Sequence, residues 1–369
     1  MNKQRIQWIE SLKFCASLVV FLGHFYMTFY KSRADIETVQ GASRFIVLAF
    51  DNIFHIIVEG NFMVFIFCLL GGFFAAHKRI ETISGLIKAI FKRYVRFVIP
   101  IFFTNVIALI IQETIGFHTQ EWATLINSVW VGQAYPVRLS FLDVIKSALL
   151  LTHQFSGPFW VIRPFFYGSV VVYFYKYIMC KTEKSKLKFL PDVMMFILLW
   201  LVYVVPVLHN NFYHAAFFAV GGVLLKKIIE SIYVPKELLW LPATVLITVV
   251  LTFDVYPNMT NDVRSILAFF TMISVFCIEP VKKCLECKLL LSVNSLSFGV
   301  FALHGPILFS FSILLQEFLM NQMSYSLGIM INIILSTLIV IFAALLFNKT
   351  VQPIVDFVLP KICIGKTKE

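Results

Sequence analysis

The chain has 369 residues, of which 59% are hydrophobic and only 14% charged, against about 25% charged in soluble domains. These proportions exclude a soluble globular protein, a disordered chain and a disulfide scaffold, and the long unbroken apolar runs exclude outer-membrane strands. The net charge of +11 is spread in short basic clusters between apolar runs, which excludes the continuous basic surface that a nucleic-acid partner requires.

At about 20 residues per membrane crossing, the length accommodates about ten helical spans and no sizeable soluble domain beside them. The expected fold is all-α, a polytopic transmembrane helical bundle forming one domain over 1–369. The apolar runs place the spans at 12–30, 60–77, 97–115, 158–179, 190–208, 212–226, 237–255, 263–281, 296–318 and 326–347. With the N-terminus inside, 23 of the 31 basic residues fall on the cytoplasmic side and six outside, while Lys13 and Arg163 lie within spans. That asymmetry predicts cytoplasmic N- and C-termini. No internal repeat and no pair of broken, inverted helices of the transporter kind is visible.

The first run reads as a retained helix, because no small-residue cleavage site precedes Lys31. Ionisable groups inside a span cost several kcal/mol unless they face protein or water, so each is a functional candidate. At 100° per residue, Lys13 and His24 come within about 20° of one face and about 16 Å apart along the axis, and Glu10, Ser17 and Thr28 share that face. The helix carries one polar stripe, which must look into the bundle. Only the imidazole in it titrates near neutral pH, which makes His24 the natural general base or acid. Glu10 and Lys13 can pair at i, i+3. Hydrogen bonding to neighbouring helices, without chemistry, is the alternative use of the same stripe.

Ahead of the second span, His55, Glu59 and Asn61 include the i, i+4 spacing of a metal pair. No third or fourth ligand is visible, so no metal is expected and the segment reads as an interfacial amphipathic one. A basic loop from His77 to Arg96 precedes the third span. Its Arg93 and Arg96 share a helix face where guanidinium forks suit phosphate oxygens, although the positive-inside rule alone would also put them there. In Gly157-Pro158-Phe159-Trp160-Val161-Ile162-Arg163-Pro164, Arg163 can bind an anionic group or snorkel to the interface, and Trp160 reads as an interfacial anchor. All seven cysteines map to spans or the cytoplasmic side, so no disulfide framework is expected. Cys284 and Cys287 form a lone C-x-x-C. The ninth span carries His304-Gly305-Pro306, a second in-membrane imidazole beside a kink whose freed backbone groups need partners. It can serve structure or the site.

In this order the residues resemble the integral-membrane acyltransferase family 3, which includes the sugar O-acetyltransferases that decorate bacterial surface polysaccharides. The first helix reads Glu10-Ser11-Leu12-Lys13 and then His24, similar to the family's acidic residue, basic residue, ten intervening positions and histidine. The apolar run Phe65 to Phe74 is similar to one that ends in Ser-Gly-Phe. Lys92 to Pro100 resembles the basic segment before the third span, Phe159-Trp160-Val161-Ile162 with Gly168-Ser169 a Trp-centred element, and Ser297-Phe298 through Leu303-His304-Gly305-Pro306-Ile307 a late Leu-His-x-Pro-Ile helix. Lys13 stands where arginine is usual, Gly71 where serine is, and Phe165 where many relatives have glutamate. Some members carry an added esterase-like domain; the short tail after Phe347 leads us to expect the membrane domain alone.

The resemblance implies transfer of an acyl group, acetyl above all, from cytoplasmic acyl-CoA to a hydroxyl of a cell-surface glycan or lipid-linked sugar at a bacterial plasma (inner) membrane. His24 would be the general base, Lys13, Arg93 and Arg96 would bind the donor's phosphates, and Glu10 would orient Lys13. Acetyl-CoA would be a substrate, with no cofactor held permanently. The other partner would be membrane lipid, and no nucleic acid is expected. A secondary transporter or flippase for a sugar or polar lipid is the rival reading, with Lys13, His24 and Arg163 as gating or coupling groups. A purely structural membrane protein is the third.

Overall fold

The computed structural model describes residues 6–31, 55–152, 157–232, 234–256 and 259–361. Lys3, Arg5, Arg33, Arg44, Cys363, Lys366 and Lys368, used above for topology and redox state, lie outside the described residues. Every regular element among the described residues is helical. In chain order the main ones are α1 (Gln7–Tyr26), α2 (Gly60–Ala76), α3 (Ile83–Thr114), α4 (Thr119–Ile126), α5 (Phe141–Leu150), α6 (Ile162–Thr182) and α7 (Leu190–Val204). They continue with α8 (Pro206–Ser231), α9 (Trp240–Val255), α10 (Asn261–Cys277), α11 (Glu279–Leu285), α12 (Ser297–Ile307), α13 (Ile313–Met320) and α14 (Tyr325–Lys361).

Each of the ten apolar runs falls on a helix, but fewer of these helices have the length and composition of a full span. Five do: Gln7–Phe29, Ile83–Thr114, Pro206–Ser231, Lys288–Met320 and Tyr325–Leu359. The pair α10 and α11, bent by 91°, makes a sixth if taken as one, and α2, α7 and most of α9 are apolar but shorter. The basic segment read as a loop is helical from Ile83, where Thr82 caps the helix by accepting the Gly85 N–H at 3.0 Å. Its Lys, Arg, Ala and Leu residues are good helix formers, so charge alone does not interrupt the helix. The segment between the third and fourth runs is also helical in part. It folds into α4, the turn Val129–Gly132 and α5, the last started by a Ser140–Asp143 capping box.

Small residues set the closest helix crossings, as expected where no water drives helices together. A Cβ on Gly72 would run into the Phe218 carbonyl, and one on Gly222 into Gly72, so α2 and α8 meet backbone to backbone. The ring of Phe218 occupies the slot between Gly71 and Gly168 and is fully buried. Gly71→Ser therefore overpacks this slot. Its expected cost is about 1–3 kcal/mol, read as a lower thermal unfolding midpoint in detergent and largely relieved by adding Phe218→Leu.

Away from this crossing, Glu59 ties the start of α2 to α10. Its carboxylate takes the Arg264 guanidinium at 3.0 Å and the His55 Nε2 at 3.1 Å, and all three side chains are largely buried. The amphipathic reading of His55 and Glu59 is corrected accordingly. Arg264, near the start of the apolar run 263–281, turns toward this carboxylate because a buried carboxylate needs a partner.

Candidate functional site

The polar stripe of α1 is buried or half-buried along its length. Its two hydroxyls turn back onto their own helix, Ser17 to the Phe14 carbonyl at 2.7 Å and Thr28 to the His24 carbonyl at 2.8 Å. They satisfy themselves and leave the ionisable groups to face the bundle. Lys13 donates to Glu10 at 2.7 Å and lies 5.7 Å from the centre of the Phe74 ring.

His24 meets His304, 280 residues later in the chain, with Nδ1 of the first 2.9 Å from Nε2 of the second. The helices carrying them, α1 and α12, pack directly on one another. Both widen into a π-helical stretch after the histidine, at Met27–Lys31 and Leu308–Ser312, a feature frequent at functional sites. Pro306 contributes to the second irregularity, because it has no N–H to continue the helical ladder. His304 is wholly buried, but His24 keeps part of its surface open. Its Nε2 has no hydrogen bond and is not sealed off. Nε2 is thus the ring nitrogen of His24 that no protein group occupies.

Beyond the histidine pair, the short helices between α3 and α6 close the end of α1 away from its N-terminus. Trp122 is fully buried there and donates its indole N–H to the Thr28 carbonyl at 3.2 Å. Trp130 stands 5.5 Å from the His24 ring and 5.6 Å from Phe309, centre to centre, and stays half-buried. Its own indole N–H has no hydrogen bond among the described residues.

At the other end, the Arg93 guanidinium lies 4.6 Å from the Phe97 ring and 6.0 Å from that of Phe218, and Nε donates to the Ser169 hydroxyl at 3.0 Å. Lys78 donates to the Tyr173 hydroxyl at 3.0 Å, and Tyr173, one turn from Ser169, is buried. Phe218 abuts Gly71, one turn before Phe74, so Lys13 and Arg93 reach comparable depth against α2. Neither Arg93 nor Lys78 has a carboxylate partner among the described residues. Cations with only neutral partners suit an anionic ligand.

Other candidates are placed differently. Arg96 is exposed and diverges from Arg93. Arg163 donates to the Leu150 carbonyl at 3.1 Å, a cation capping the C-terminal end of α5. Trp160 sets its ring edge on His214 at 4.8 Å, and His214 stacks on Phe65 at 5.0 Å, so this tryptophan packs inside the bundle. Cys284 and Cys287 are exposed free thiols. No group of three or more metal-ligating side chains assembles among the described residues.

A family model described as an acyltransferase domain matches residues 6–347. The chain belongs to the acyltransferase 3 family. No curated protein and no solved structure matches it. The matched span takes in both histidines, the cationic end and the tryptophan-bearing cap. Around Gly71 the packing is apolar: the Phe218 ring fills the side on which a Cβ would project, and Phe165 packs on the same ring at 5.6 Å. Reasoning from sequence passed over Trp130 and His214. The rule that singles out ionisable groups within spans would have found His214; nothing local distinguishes Trp130.

Proposed function

We propose that this family member transfers an acyl group, acetyl in the first instance, from acyl-CoA to a hydroxyl of a glycan or lipid-linked sugar, with His24 as general base. The observation that carries the proposal is the unbonded Nε2 of the half-buried His24 within an otherwise apolar bundle. As the acceptor oxygen attacks the thioester carbonyl, a C–O bond forms and the C–S bond breaks. His24 Nε2 takes the hydroxyl proton and returns it to the departing thiolate.

The donor enters at the cationic end. Lys13 and Arg93 receive its phosphates, with the exposed Arg96 at most an outer contact on the approach, Glu10 orients Lys13, and the thin pantetheine arm runs the roughly 16 Å between the levels of Lys13 and His24. With ten crossings and cytoplasmic termini, as the basic residues of the loops favour, this end faces the cytoplasm of a plasma membrane. The Trp130 end then faces outward, toward the acceptor. Trp130 offers a ring face to the apolar side of a sugar. Trp130→Ala should raise KM for the acceptor about tenfold, the size of one good aromatic contact, without changing KM for acetyl-CoA.

Purified protein in detergent, given acetyl-labelled acetyl-CoA and a lipid-linked sugar extract, tests the reaction. Label appearing in the sugar fraction is the expected result. Label that stays in acetyl-CoA across a panel of acceptors, together with movement of a sugar or lipid across sealed vesicles, would replace the transferase by a transporter.

A further inference from the structure

His304 has no part in the transfer as written above, yet it touches the base. Its Nδ1 lies 3.2 Å from the carbonyl oxygen of Val300, one turn back along α12. A carbonyl has no proton to give, so Nδ1 of His304 is the donor, and the other nitrogen of the neutral ring, Nε2, is bare. That bare nitrogen is the atom 2.9 Å from His24 Nδ1. One arrangement of protons satisfies the contact: His24 Nδ1 donates and His304 Nε2 accepts. His24 then carries its proton on Nδ1 and a lone pair on Nε2.

We propose that His304 is a positioning residue that, by accepting this hydrogen bond, holds His24 in the one tautomer and ring orientation able to remove a proton from the acceptor hydroxyl. The inference rests on the base role assigned to His24. The logic is that of a Ser-His-Asp arrangement, in which the third member selects the tautomer of the base. A carboxylate is replaced here by a neutral imidazole backed by a backbone carbonyl. In the apolar interior an unpaired carboxylate would be costly, whereas a neutral ring with both nitrogens hydrogen-bonded is not. The arrangement also accounts for the complete burial of His304 beside a half-buried His24 whose Nε2 is left unbonded: one ring aims and the other reacts.

The test is nitrogen-15 NMR of the full-length protein, labelled at histidine and held in lipid nanodiscs, with the His24 signals identified by their loss in His24→Ala. The wild type should show a protonated Nδ1 and a bare Nε2 at His24. His304→Leu should abolish that preference. His304→Gln, whose side-chain carbonyl can accept the same bond, should keep it. In acetyl-CoA turnover, His304→Leu should lower kcat by about 10²-fold or more, since a wrong tautomer costs up to about 10⁴, with KM for acetyl-CoA unchanged, and His304→Gln should recover part of kcat. A proton on Nε2 of His24 in the wild type overturns the proposal whatever the variants do. So does His304→Leu with His24 still protonated on Nδ1. A wild type with the expected tautomer but no acyl transfer supports the lock and overturns only the reaction assigned to it.

Discussion

His24→Ala lowers acyl transfer by about 10²–10⁴-fold, the usual contribution of a positioned general base, and leaves the bundle folded. The two effects separate because the imidazole holds little of the structure together. Its one side-chain hydrogen bond is to His304, and losing it leaves one buried acceptor unsatisfied, at a cost of about 1–3 kcal/mol. The measurement compares label transfer from acetyl-CoA in wild type and variant at matched protein levels, with the thermal midpoint of each recorded in the same detergent. Equal transfer by the two proteins would make His24 a structural residue and remove the mechanism. A fall in transfer matched by a collapse of the thermal midpoint would point to folding as the cause.

Arg264→Ala should cost about 3–5 kcal/mol, the penalty for leaving a buried charge without its partner. Glu59 is only 6% exposed and holds Arg264 through two nitrogens and His55 through one. The double variant Glu59→Leu with Arg264→Leu should recover most of the loss, because removing both charges also removes the cost of burying them. A double variant as unstable as Arg264→Ala would show that packing of the long side chains, and not charge, holds α2 to α10. The pair also predicts a pH dependence. Burial alone would raise the Glu59 carboxyl, but the His55 hydrogen bond and the Arg264 charge outweigh it and hold the group below its ordinary value of 4.5. A carboxyl lowered in the folded state contributes stability that is present above its unfolded value and lost as pH falls through its folded value. The thermal midpoint should therefore drop on acidification below about pH 4.5, and the drop should be shallower in Glu59→Gln.

The helical class and the approximate positions of the helices were legible because apolar runs and turn residues act locally. Each run found in the sequence lies on a helix, and the stripe of Glu10, Lys13, Ser17, His24 and Thr28 followed from the helical repeat alone. Helix ends were less legible. Nothing between Ile83 and Phe97 is apolar enough to announce a span, yet α3 runs through that stretch from its Thr82 cap, since backbone hydrogen bonding does not depend on the charge of the side chains it carries. The number of spans was less legible too: five or six of the described helices have the length and apolarity of a full crossing, while Gly60–Ala76, Leu190–Val204 and Trp240–Phe253 are apolar but shorter, because an apolar run does not by itself fix where its helix begins and ends.

By itself the sequence determined composition, helical periodicity and the order of the family's motifs, and these sufficed to name His24, His304 and the basic segment as candidates. Only the tertiary structure decided which of them meet. It brought His304 against His24, turned Arg93 inward while leaving Arg96 exposed, committed Arg163 to a helix end, and laid Trp130 over the site. The physical reason is that spacing within one helix is set by 1.5 Å and 100° per residue, whereas contact between helices depends on how small residues such as Gly71, Gly72 and Gly222 let backbones approach, and that approach is a property of both partners at once.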